Sequence, residues 1–374
     1  MYLFREQSTS LTKLLTPNKV IVILGARRIG KTTLLNDFLK NIKEKYLFVQ
    51  GDDIASHEYL SSQSIAKLQG FVGENKLLII DEAQKIPNIG INLKLIVDHI
   101  ENIKVIATGS STFDLLKNIG EPLTGRKFTL RLFPIAQIEL KENLIETQSN
   151  LENRLIFGSY PEIILTKDNQ KQADILKEIV NSYLFKDILE LDGIRNSKKI
   201  ASLAQMIAFQ IGKEVSYAEI GMKLGMSKNT VEKYLDLLEQ TFVIFRLDGF
   251  SRNLRKEITK NPRYYFYDNG IRNALINNFN PLNIRDDIGM LWENYIINER
   301  IKKQEYQKIY SNNYFWRTYD QKEIDWIEER EGKLFGYEIK WNKNKIKPPK
   351  DWLETYTNSS YEVITKDNYL EFIS

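Results

Sequence analysis

Residues 20–33 read Val-Ile-Val-Ile-Leu-Gly-Ala-Arg-Arg-Ile-Gly-Lys-Thr-Thr, and Gly25 to Thr32 fit G-x-x-x-x-G-K-[ST], the phosphate-binding P-loop. Gly25 and Gly30 let the backbone turn, so that amides from Gly25, Ala26, Arg27, Arg28, Ile29 and Gly30 through Lys31, Thr32 and Thr33 can face phosphate oxygens. A helix starting near Lys31 adds the positive end of its dipole. Lys31 is the residue to reach the β- and γ-phosphates, and Thr32 the hydroxyl to hold Mg²⁺, which makes ATP and Mg²⁺ the expected ligands. A second acidic pair follows at Leu77-Leu78-Ile79-Ile80-Asp81-Glu82. Asp81 is expected to bind Mg²⁺, and Glu82 to orient or deprotonate an attacking water. A third set lies far downstream. Glu338 and Lys340 are two apart in a strand-like run and so share a face, and an antiparallel strand before them can bring Asp325 alongside. Glu293 interrupts the apolar face of a helix ahead of both.

Composition narrows what these residues can do. The chain has 374 residues, long enough for two to three domains, and its formal charge of +4 neither demands nor excludes nucleic acid. It contains no cysteine, and its histidines are His57 and His99, so disulfides, thiolate metal sites and histidine-rich zinc sites are ruled out. Any metal must sit on oxygen ligands, which points to Mg²⁺ or Mn²⁺. No apolar run is long enough to cross a bilayer, and the start lacks a basic and then apolar leader. The expectation is a cytoplasmic protein without a membrane partner.

The elements that must position these residues follow from the apolar pattern. Val20–Leu24, Tyr46–Val49, Leu77–Ile80 and Lys104–Thr108 read as strands of a parallel sheet, whose carboxyl edge would gather the P-loop and Asp81. Helical spacing runs from Thr32 to Lys40 and from 171 to 192. Ser216 to Leu235 reads as a helix-turn-helix, with Gly225 at the turn and Ser227 capping the second helix. In that helix Val231, Tyr234, Leu235 and Leu238 form the inward face, while Lys228, Asn229, Glu232, Lys233 and Asp236 face outward. Phe242–Leu247 could form a wing. The cations suit phosphate, whereas Glu232, Asp236 and Glu239 oppose it, so double-stranded DNA and a protein both stand as partners. The division expected is 1–150, 151–285 and 286–374. Lys343, Lys345, Lys347 and Lys350 suit a phosphate backbone or a solvated loop.

Gly-Ala-Arg-Arg-Ile-Gly-Lys-Thr, Ile-Ile-Asp-Glu-Ala-Gln, Ala-Thr-Gly-Ser-Ser and Leu-Thr-Gly-Arg, in that order, resemble a group of prokaryotic AAA-type ATPases. Their core is followed by a C-terminal domain of unknown function, and Phe157–Glu162 and Tyr183–Ile188 resemble that continuation. The resemblance implies an α/β P-loop ATPase domain with a parallel sheet. It also implies that Thr108 or Ser110 senses the γ-phosphate, although Ser110 or Ser111 could equally cap a helix. Arg126 would contact the γ-phosphate in its own or a neighbouring subunit, which would imply an oligomer; a surface ion pair is the alternative. Asp325 followed by Glu338-x-Lys340 resembles the PD-(D/E)xK nuclease core, a restriction-endonuclease-like α/β fold. There Asp325, Glu338 and Glu293 would hold Mg²⁺ or Mn²⁺ and Lys340 would activate water. Two functions are carried forward. In one, Mg-ATP gates DNA binding or cleavage in a defence or mobile-element role. In the other, a nucleotide-switched binding protein uses an inactive nuclease-like domain to recognise a partner.

Overall fold

The structure, a computed structural model, describes residues 3–110, 123–184, 197–252, 261–342 and 346–374. Ser111, residues 185–192 of the expected long helix (with them most of the Tyr183–Ile188 motif), Lys343 and Lys345 lie outside the described residues. The chain divides into two compact units, the first comprising the chain to Phe133 and the second the bulk of the remainder.

The first unit is built on a five-stranded sheet of β1 (Lys19–Leu24), β2 (Tyr46–Gln50), β3 (Leu77–Asp81), β4 (Lys104–Gly109) and β5 (Lys127–Arg131), in the order β2-β3-β4-β1-β5. Every pairing is parallel. The inner strands are the β-branched runs, buried over nearly their whole length, whereas β2 and β5 at the edges expose residues. That gradient is what a sheet covered on both faces requires. Because all strands point the same way, Leu24, Asp81 and Thr108 end at one edge. The helix Lys31–Leu39 starts there, behind Gly30 at a left-handed φ of 94°.

The second unit carries a six-stranded mixed sheet of β6 (Ile244–Gly249), β7 (Arg263–Phe266), β8 (Asn312–Arg317), β9 (Glu323–Arg330), β10 (Lys333–Ile339) and β11 (Ser359–Ile364), in the order β11-β10-β9-β8-β6-β7. β6 and β7 pair antiparallel, and β6 joins β8 in parallel at Asp248 and Gly249. Strands on either side of position 285 therefore share one sheet. The expected β9–β10 antiparallel pair is present, with Tyr337 opposite Trp326. Phe250, Trp316, Ile324, Ile327, Leu334, Trp352 and Tyr356 form a core cluster against these strands. The helix Ile288–Gln307 is buried along Leu291, Trp292, Tyr295, Ile296 and Ile297.

The helix-turn-helix forms at its expected place. Tyr217–Leu224 ends at Gly225 with φ 60°, and Ser227 Oγ accepts the Thr230 amide at 3.1 Å at the start of Lys228–Gln240. Val231, Leu235 and Leu238 are buried, Tyr234 is half-buried, and Lys228, Asn229, Glu232, Lys233 and Asp236 are exposed. The helix Ser197–Phe209 precedes the pair, and an isolated bridge joins Glu214 to Arg263 of β7. The described part of the expected 171–192 helix is Asn169–Glu178, capped by Asp168, widening to a π-helical turn at Ile179–Leu184.

Candidate functional site

At the carboxyl edge of the first sheet the residues picked out by spacing come together. Thr32 Oγ1 donates to Asp81 Oδ2 at 2.6 Å, and the Thr108 hydroxyl donates to Asp81 Oδ1. Thr108 also accepts the Glu82 amide at 3.0 Å, so one buried hydroxyl holds both acidic residues. Lys31 Nζ donates to the carbonyls of Gly25 and Ala26, each at 3.1 Å, and lies 3.6 Å from Glu82 Oε1. Glu82 sits at a left-handed φ of 53°, which turns its side chain out of the strand direction. The two expected Mg²⁺ ligands stand side by side, and a hydroxyl with a carboxylate is a donor set that suits a hard cation.

Several residues at this edge escape sequence reasoning. Gln84 Nε2 donates to Glu82 Oε2 at 2.5 Å and to Ser110 Oγ at 3.0 Å, so Ser110 reaches the acidic pair through an amide. Arg5 is buried and donates to the Ile29 carbonyl of the P-loop at 2.7 Å and to Phe133 O at 2.6 Å. A Cβ at Gly25 would come within 2.2 Å of Leu132 O, so the glycine is required by close approach. The Gln in Asp-Glu-Ala-Gln was a visible signal; Arg5 had none, since its partners lie far along the chain.

Arg126 departs from its expectation within the chain. It precedes β5, its carbonyl accepts the Val20 amide at 2.9 Å, and Val20 is the second residue of β1, at the end away from the P-loop. Parallel strands therefore place Arg126 at the opposite edge of the sheet from Lys31. It pairs there with Asp98 at 2.5 Å, in a half-exposed ion pair.

In the second unit Glu293, Asp325, Glu338 and Lys340 also converge. Lys340 Nζ lies 2.6 Å from Glu338 Oε1 and 3.3 Å from Asp325 Oδ2, which also accepts the Ile339 amide at 2.9 Å. Glu293 Oε1 accepts the Tyr265 hydroxyl at 2.7 Å. Arg263, which the sequence reading did not single out, enters from β7. Its guanidinium is 3.8 Å from Asp325 Oδ1, donates to Glu323 Oε2 at 2.9 Å and lies over the Phe315 ring at 4.4 Å. Alternation puts Arg263 and Tyr265 on one face of β7, but only the fold reveals what that face meets.

Burial, and after it the charge of Asp325, pushes the Glu293 and Glu338 carboxyls above their usual range. Burial, and then Glu293, raises the Tyr265 phenol. Burial opposes the charge on Arg263 and Lys340, yet the surrounding acidic groups outweigh it and raise both. Among the described residues no group of three or more acidic or histidine side chains is arranged to hold a metal ion. The expected Mg²⁺ or Mn²⁺ set of Glu293, Asp325 and Glu338 is thus not formed. The reason is physical: Arg263, Lys340 and a backbone amide engage both Asp325 oxygens, Lys340 takes Glu338 Oε1, and the Tyr265 hydroxyl takes Glu293 Oε1.

Residues 17–141 match the family described as an AAA domain, residues 148–282 a domain of unknown function (DUF8612), and residues 288–369 another (DUF4143). An uncharacterized protein of Mycobacterium tuberculosis is 26% identical over 343 residues, covering 90% of this chain and 73% of the relative. An uncharacterized protein of Methanocaldococcus jannaschii is 30% identical over 261 residues, covering 63% of this chain and 58% of the relative. Among solved structures, a Walker-type ATPase of Pyrococcus abyssi shares 16% identity at a TM-score of 0.49, over 74% of this chain and 96% of its own. The chain is thus similar to AAA-type ATPases in its N-terminal third and to two domains of unknown function downstream of it. No helix among the described residues is long and apolar enough to cross a membrane.

Proposed function

We propose that this protein binds and hydrolyses ATP at residues 25–33 and uses the nucleotide to switch a C-terminal unit that recognises double-stranded DNA without cutting it. The observation that carries the first half is the hydrogen-bonded set of Thr32, Asp81 and Thr108 beside Lys31 and Glu82. Lys31 and the loop amides bind the phosphates, and Thr32 with Asp81 would hold Mg²⁺. When bound, that ion neutralises charge growing on the phosphate oxygens. Glu82 orients the attacking water, and Thr108 is a positioning residue that fixes Asp81 and the Glu82 backbone.

For the second half, a helix, a bridge strand, the helix-turn-helix and the β6–β7 hairpin follow one another in winged-helix order, which supports a winged-helix reading. The β9–β10 pair and the helix carrying Glu293 support a restriction-endonuclease-like fold. That fold serves recognition here, because its carboxylates are engaged by the chain's own cations.

The test is an ATPase assay on the full chain. Lys31→Ala should abolish turnover, and Glu82→Gln should keep ATP binding while losing at least about a hundredfold in rate. Undiminished hydrolysis by Lys31→Ala would overturn the assignment.

A further inference from the structure

The acidic centre of the second unit has a cation already built into it. Arg263 is 4% exposed, and its guanidinium sits between Asp325 of β9 and Glu323 at the start of the same strand. Phe315 covers one face of it. Two atoms of the centre are left over: Glu338 Oε2 and Arg263 Nε are buried without a hydrogen-bond partner. Glu338 is itself only 6% exposed, so a carboxylate oxygen with acceptor capacity points into a closed, acidic interior. Gly212, at φ 75°, lies against Glu293, since a Cβ there would come within 2.9 Å of Glu293 Oε1.

We propose that Glu293, Asp325 and Glu338 form a cation site whose resident cation is the Arg263 guanidinium, and which admits a hard metal ion only when that guanidinium is withdrawn. The charges argue for it. The carboxylates Glu293, Glu323, Asp325 and Glu338 face Arg263 and Lys340, and removing Arg263 leaves one half-buried lysine against all of them. An unbalanced buried acidic cluster of this kind either takes up protons or takes up a cation. Arg263 also belongs to β7 and bridges to Glu214, so the group that fills the site is carried by the hairpin following the helix-turn-helix. Movement of that hairpin relative to β9 would change what the centre can bind. The proposal goes beyond the ATPase reading and does not rest on it.

All five tryptophans, Trp292, Trp316, Trp326, Trp341 and Trp352, lie in the C-terminal unit, which supplies a selective readout. Terbium(III) emission excited through tryptophan reports on metal bound beside these side chains, and its loss on Asp325→Asn assigns it to the acidic centre. Titrating the full chain without nucleotide, wild type and Arg263→Lys should stay dark. Arg263→Gln should give saturable emission stronger by at least about tenfold, abolished by adding Asp325→Asn. Saturable wild-type emission lost in Asp325→Asn would overturn the proposal, as would a folded Arg263→Gln as dark as wild type. So would an Arg263→Gln signal that survives Asp325→Asn. If circular dichroism shows Arg263→Gln unfolded, Glu323→Gln replaces it. Glu323 is more exposed and only anchors Arg263, so this variant should fold and show weaker emission than expected for Arg263→Gln but above wild type; darkness there would equally overturn the proposal. Failure of these arms leaves the Lys31 assay unaffected, so the two readings fail separately.

Discussion

Thr108 makes two bonds that no spacing rule foresees together, one to the Asp81 carboxylate and one from the Glu82 amide. A single hydroxyl at the tip of β4 thereby registers the acidic pair at the end of β3. Its candidacy was legible because a polar tip beside an acidic strand end is unusual; Ser110 was legible for the same reason but reaches Glu82 only through Gln84. Arg126 shows where residue-level reading fails. A Gly-Arg pair looks the same in sequence at either edge of a sheet, and only strand direction tells which edge it occupies. Arg126→Ala should therefore leave the turnover of dilute protein within about twofold of wild type, since an exposed ion pair with Asp98 contributes about 0–1 kcal/mol. A large loss appearing only at high protein concentration would instead mark action on a neighbouring subunit.

At the scale of elements, the helix Lys228–Gln240 carries a cost that its amphipathic pattern hides. Burial, then Asp236, pushes the Glu239 carboxyl from 4.5 up to about 7, against the pull of Arg246. A carboxyl whose folded pKa is raised contributes stability that is fully present below its unfolded value. That contribution is lost as pH climbs through the folded value. Here the loss falls between about pH 4.5 and 7. Glu239→Gln should thus gain on the order of 1 kcal/mol over wild type at pH 8 and nothing at pH 4, read as urea midpoints at the two pH values. The elements themselves were largely legible, because β-branched runs marked β1, β3 and β4, and Gly225 with Ser227 marked the turn. The pairing of β6 with β8 was not. It rests on Asp248 and Gly249 meeting Tyr314 and Phe315, a long-range registration that alternation within either strand leaves open.

For the whole molecule, the question is whether the state of the nucleotide changes what the second unit binds, a coupling that must run in both directions. Duplex DNA should change the ATP affinity of the wild-type chain, and ATP should change DNA affinity by the same factor; the turnover rate should respond to DNA as well. Charge reversal at Lys228 and Lys233 should flatten the salt dependence of that affinity. If duplex DNA neither binds nor alters turnover, the partner is a protein. The ATPase half of this reading was available from motifs because each motif is local. The acidic centre was available only in part: Glu293, Asp325, Glu338 and Lys340 were visible as residue types, while the Arg263 that neutralises them comes from a strand with no local link to them.

The sheet shared by β6, β7 and β8–β11 also bears on how such proteins can be rearranged. Severing the chain near position 285 would strip β8 of the β6 residues it pairs with, and would part β7 from the helix Ile288–Gln307, whose Asn294 bonds both the amide and the carbonyl of Phe266. Both fragments would be prone to stick to other chains. For recombination between genes, the smallest exchangeable cassette downstream of the ATPase is therefore the entire sheet-bearing unit that starts at Pro134. A swap of one partner-recognition part for another would have to carry the helix-turn-helix and the acidic centre together.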